Sequence, residues 1–180
     1  MATLMEKYTK IIELINNDSL AWVRHSGVPF VICPYEKKEH KDVMYIINKL
    51  QQEIEGFHLE LINMEQLLFD IIEEYETIDG IIELEKIEED IDMVEELGEF
   101  LLEKVRSHFI SKAKEIGPKG RILVTRVGAT AIYFNFIRLL SYLEGRVQIP
   151  VVFFYPGTYD RFSVKLLNQY KETALRALIL

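Results

Sequence analysis

The sequence predicts an α/β protein with three layers, its helices flanking a mostly parallel sheet of four to five strands. Three observations carry that prediction. Short apolar runs alternate with longer stretches of helical periodicity, the order that βαβ units produce. Those runs are continuous rather than alternating, IPVVFF at 149–154 above all, so both faces of the sheet should be covered. The chain has 180 residues, about half of them apolar, and neither a low-complexity linker nor a solenoid-period repeat divides it. One domain over 1–180 accommodates it, with 76–115 as an acidic helical elaboration of a crossover.

The elements follow in order. Leu4, Tyr8, Ile11, Ile12 and Ile15 fall on one helical face, which Asn16, Asn17 and Asp18 terminate. VPFVIC at 28–33 is a buried strand. Helical spacing resumes at Val43, Ile46, Ile47 and Leu50, and Gly56 closes that helix. FHLELIN at 57–63 is a second strand, followed by a helix from Met64 to Tyr75 with Leu67, Leu68, Ile71 and Ile72 on its apolar face. The acidic stretch that follows reads as helical pieces broken near Asp79-Gly80, and a long helix ends before Gly117-Pro118. RILVT at 121–125 is a third strand. Gly128 opens a turn into a helix from about Thr130 to Leu143, and 149–154 is a fourth strand that stops at Tyr155-Pro156-Gly157. The tail from Asn168 to Leu180 carries both helical and strand patterns.

Composition bounds the function. Net charge is −8, distributed unevenly: residues 51–115 hold 20 acids against five bases, and residues 116–180 hold nine bases against three acids. An acidic middle is first a solvated helical face and second a docking surface for a basic partner. Overall acidity argues against direct nucleic-acid binding; Arg121, Arg126, Arg138 and Arg146 would be spread over different faces of one βα unit. A single cysteine, Cys33, excludes a disulfide framework and a cysteine-based zinc site, and fits a reducing cytoplasm. Charges at Glu6, Lys7, Lys10 and Glu13 break any apolar h-region, so no signal peptide is expected, and no uncharged apolar run approaches the ~20 residues of a membrane span.

Ligands of open parallel sheets sit beyond the carboxyl ends of the strands. Those ends collect Cys33-Pro34-Tyr35, Asn63, the run Thr125 to Thr130, and Tyr155 to Tyr159, which should share one rim. In TRVGAT, Thr125, Arg126, Gly128 and Thr130 form a candidate anion or nucleotide site at a strand–turn–helix junction. Neither G-x-x-x-x-G-K-[ST] nor G-x-G-x-x-G supports it. A small nucleotide- or phosphate-binding sensor is therefore the second reading. Cys33, with His25 and His40 near it in sequence, raises a nucleophile pair, but a lone cysteine at a strand end is more ordinarily a small buried hydrophobe. His25, His40, His58 and His108 have no metal-binding spacing, so neither a metal nor another cofactor is expected. Aromatics beside rigid turns make Tyr35, Tyr155, Pro156, Gly157 and Tyr159 partner-binding candidates.

Three segments resemble one family. VPFVICPYEKKEH (28–40), ILVTRVGATAIYFNFIRLL (122–140) and IPVVFFYPGTYD (149–160) are similar, in order and approximate spacing, to segments of the BrxB-like family of bacteriophage-exclusion (BREX) operons. Beyond Tyr159 the chain departs from that pattern, keeping only Arg176-Ala177 of an expected Tyr-Arg-Ala ending. The resemblance implies a non-catalytic accessory protein of phage defence, working beside a PglZ-like phosphatase-fold protein and a BrxC-like ATPase. Phe30, Cys33, Pro34, Tyr35, Gly128, Phe153, Phe154, Pro156, Gly157 and Tyr159 match the family, as structural or interface residues. A homo-oligomer is compatible with all of this.

Overall fold

A computed structural model describes residues 3–16, 28–54, 56–75, 92–160, 163–166, 170–173 and 176–180. The expected break at Asp79-Gly80 lies outside them. The helices are α1 (Leu4–Asn16), α2 (His40–Glu53), α3 (Met64–Tyr75), α4 (Asp92–Ile116) and α5 (Phe136–Leu143). The strands are β1 (Phe30–Tyr35), β2 (His58–Asn63), β3 (Gly120–Thr125), β4 (Val151–Asp160), β5 (Ser163–Leu166), β6 (Tyr170–Thr173) and β7 (Leu178–Ile179). Single 3-10 turns occupy Lys37–Glu39 and Val127–Thr130.

Five strands form the expected parallel sheet in the order β2-β3-β4-β1-β7, and β5 and β6 extend β4 in antiparallel fashion. The alternation of side chains along each strand separates two cores. Phe30, Ile32, Ile122, Val124, Val151, Phe153 and Tyr155 face α3, α4 and α5. Val31, Cys33, Tyr35, Leu123, Val152 and Phe154 face α1 and α2. Every apolar residue assigned to α2 and α3 from periodicity is buried. Phe153 centres the larger core, edge-on to Phe136 at 5.1 Å and to Phe30 at 6.2 Å, and stacked on Phe109 at 6.0 Å. Such aromatic pairs add about 0.5–1.5 kcal/mol each beyond their burial.

Three local expectations change. β4 does not stop at Tyr155-Pro156-Gly157 but runs on to Asp160, where its second half pairs with β5. The proline ends a neighbour's ladder instead. Ile122 N–H donates to the Pro150 carbonyl, so by the period-two alternation of a parallel ladder the nitrogen of Pro156 faces β3. Without a donor there, the ladder to β3 ends at the Val124–Phe153 pair. Pro34 does the same on the other side: Leu180 N–H donates to the Ile32 carbonyl, so Pro34 faces β7 and terminates that pairing.

The helix expected from Thr130 begins only at Phe136. Residues 127–130 turn as 3-10, and the Asn135 side chain caps α5 by accepting from Ile137 N–H at 2.7 Å. In that turn it is not Gly128 that takes a left-handed backbone but Arg126, at φ 57°. Within the described residues of the tail, Tyr170–Thr173 and Leu178–Ile179 are strand, the latter pairing with Val31 and Ile32.

Gly98, inside α4, shows how closely the layers approach. A Cβ built there would overlap the carbonyl oxygen of Tyr133, in the segment leading to α5. Gly98→Ala should therefore destabilise the protein by about 1–3 kcal/mol in urea unfolding, although alanine is the better helix former by about 1 kcal/mol.

Candidate functional site

The carboxyl ends of β1, β3 and β4 do meet at one rim. In the register of β1 on β4, Pro34 lies opposite Tyr155 and Tyr35 opposite Pro156, so the two aromatic–proline corners are direct neighbours. Two concavities flank them. The larger, about 580 Å³, is lined by Tyr35 at the end of β1, Lys37 and Lys38 of the 3-10 turn, His40 and Lys41 at the start of α2, and Glu65 from α3. Arg126, Gly128 and Ala129 of the turn after β3, with Pro156, complete it. The smaller, about 240 Å³, is lined by Lys7, Pro34, Tyr35, Glu36, Glu39, Gly157, Tyr159 and Leu180.

Local chemistry fixes these walls. Glu36 N–H donates to Glu39 Oε2 at 2.8 Å, closing the 3-10 turn that presents Lys37 and Lys38. The Tyr35 ring stacks on His40 at 6.0 Å, with its hydroxyl 3.4 Å from His40 Nδ1. Burial pushes the Tyr35 phenol up, and the Arg126 guanidinium facing it opposes that shift. Lys7, buried on α1, donates to the Pro34 carbonyl at 2.5 Å and ties the first helix to the rim. Arg126 Nε lies 3.9 Å from Glu65 Oε2, an exposed pair worth little by itself. Its left-handed backbone costs about 1–2 kcal/mol relative to the ordinary regions, and among the described residues it is the one non-glycine with positive φ.

Residues 60–178 match the family model described as BREX protein BrxB. The chain belongs to that family. No curated protein and no solved structure matches it. Membership in the BrxB family marks a component of a BREX system, and with it a part in phage defence. The match takes in two of the three resembling segments, those around β3 and β4. The Cys-Pro-Tyr segment at 28–40 lies before it, although β1 is the central partner of β4.

Several residues singled out from the sequence have structural places. Tyr155 is fully buried and packs against Phe136 at 5.4 Å, so it supports the corner from beneath and cannot meet a partner directly. Thr125 and Thr130 are buried too, and the Thr130 hydroxyl donates to the Val127 carbonyl at 2.9 Å. Of the candidate anion site, Arg126 and Gly128 alone reach the larger concavity. Asn63 caps α3, its Oδ1 accepting from Glu65 and Gln66 N–H. Phe30, Phe153 and Phe154 are core residues.

The basic residues are dispersed, as their spacing implied. Arg121 is buried beneath the sheet, donating to the Ile15 and Gly120 carbonyls and lying over Phe57. Arg138 is bidentate to Glu99, and Arg146 lies over Tyr142. Among the described residues no group of three or more His, Cys, Asp and Glu could hold a metal, and no helix is long and apolar enough to cross a membrane.

Sequence reasoning passed over Lys37, Lys38, Lys41 and Glu65, and weighed His40 only as a partner of Cys33. The signal was there for the lysines: KKEHK follows immediately on the carboxyl end of a strand, where ligand-binding loops lie.

Cys33 is buried against α1 and α2, and that burial pushes its thiol up to about 12, far from the thiolate a nucleophile needs. At pH 8 the folded protein should resist iodoacetamide, with Cys33 alkylating only as urea unfolds the chain. Rapid alkylation in the absence of denaturant, read by intact mass, would contradict this placement.

Proposed function

We propose that the chain is a non-catalytic adaptor of a BREX assembly, docking a larger component through the rim where β1 and β4 end. The observation that carries this reading is the register that sets Pro34-Tyr35 against Tyr155-Pro156. It builds a stiff edge whose prolines refuse further strand pairing, with a hollow beside it lined by Pro34, Gly157 and Tyr159. A preformed hollow of mixed polar and apolar lining needs little ordering when a partner side chain enters it. Glu36 and Glu39 in its lining, with Glu95, Glu96, Glu99 and Glu103 exposed along α4, favour a basic segment on the partner. The PglZ-like phosphatase-fold protein and the BrxC-like ATPase of such operons are the partners this reading names. Tyr159 is its contact residue, with Tyr35 and Tyr155 as supports.

Co-expression with the PglZ-like or the BrxC-like protein, followed by affinity capture and size-exclusion chromatography, tests it. Co-elution at fixed stoichiometry is expected with one of them. Tyr159→Ala should weaken that complex by about tenfold or more, the scale of an interface anchor, and reduce phage restriction in parallel. Separate elution from both proteins, or a complex indifferent to Tyr159→Ala, would remove the docking rim.

A further inference from the structure

The larger concavity shares Tyr35 and Pro156 with that rim but is not the hollow a partner would enter, and three features bear on what it holds. The first is its place. β3 sends its connection across the face carrying α5, and β1 sends its own across the face carrying α2. The concavity opens between those departures, above β4, which is the reversal point where open α/β sheets form ligand crevices.

The second feature is charge. Lys37, Lys38, Lys41 and Arg126 line the crevice against one carboxylate, Glu65. Lys38 is held by Glu36 at 2.9 Å, and Arg126 stands beyond hydrogen-bond length from Glu65. Among the described residues no ion pair engages Lys37 or Lys41. Such a cluster of like charges repels itself unless an anion joins it. The third feature is Arg126 itself. A glycine would take its left-handed backbone without strain, yet an arginine is held there with its side chain on the crevice. Strain of this kind gathers at binding sites.

The form of the crevice selects the ligand. Its volume, about 580 Å³, lies within the range of small-molecule sites. Tyr35, Ala129 and Pro156 offer carbon surface beside the cations. The cations that line it come only from residues 37–41 and from Arg126, while Arg138 and Arg176 are paired with Glu99 and Glu144. We propose that this crevice binds a phosphate-bearing small molecule of mononucleotide size. Its phosphates face Lys37, Lys41 and Arg126, and its uncharged body rests against Tyr35 and Pro156.

Calorimetric titration of the full chain with ADP, ATP, GTP, pyrophosphate and adenosine tests this. A saturable, salt-sensitive heat is expected for at least one phosphate-bearing probe, with adenosine weaker than ADP by about tenfold or more. Lys37→Ala with Lys41→Ala, both at exposed positions, should weaken the bound probe by about tenfold or more. Arg126→Gly separates binding from folding: it should raise Tm by about 2–4 °C through relief of strain while weakening the probe to a similar extent. Tyr159→Ala should leave the titration unchanged, so the crevice and the docking rim stand or fall separately. Absence of saturable heat with all four phosphate-bearing probes overturns the proposal. So does binding that ignores these substitutions, or preferential binding of a DNA duplex through the same residues.

Discussion

The pairing of β1 with β4 governs the rest of this structure. Six consecutive pairs, from Phe30–Val151 to Tyr35–Pro156, bring together two segments from opposite ends of the chain. The strands are buried on both faces, so a slip of β1 by one residue would turn Phe30 and Ile32 toward α1 and α2 and send Val31 and Cys33 into the other core. That constraint fixes the register, and the register fixes the rim. Both prolines then fall just past the last useful hydrogen bond of a neighbouring strand, and both concavities open beside them.

Much of the fold was legible because its signals are local. The four apolar runs became strands, and the faces of α2 and α3 were readable from three- and four-residue spacing. What escaped was decided by distant partners. Pro156 reads as a stop when only its own strand is considered; whether it interrupts depends on which neighbour its nitrogen faces. Thr130 looked like a helix start because it follows a glycine turn, but the cap that counts is Asn135, five residues on. Gly128 reads as the residue that opens the turn, whereas the left-handed geometry in it falls on Arg126. Tyr155 illustrates the same limit at the site: an aromatic before a proline reads as exposed, and only the closeness of Phe136 shows that it lies beneath the rim.

Charge is arranged on a similarly local scale. Glu95, Glu96, Glu99, Glu103 and Glu115 of α4 are exposed, while Lys37, Lys41 and Arg126 gather at the sheet edge. At ordinary salt, exposed charges further apart than about 8–10 Å barely feel each other. A net charge of −8 is thus compatible with a cationic crevice, since each region acts on what comes close to it. The same separation lets one small protein offer an acidic side to a large basic partner and a basic hollow to a small anion.

The position of β1 also bears on how the chain acquires its shape. Its partners β4 and β7 both lie on the order of a hundred residues further along. By contrast, β2, β3 and β4 follow one another through α3, α4 and α5 and sit side by side. Loops that long are entropically expensive to close before their contacts form. The segment from β2 to β4 is therefore the unit with the shorter search. β1, an apolar strand with nothing local to pair with, is made early and housed late, an interval in which it relies on solubility lent by the charged helix that follows it.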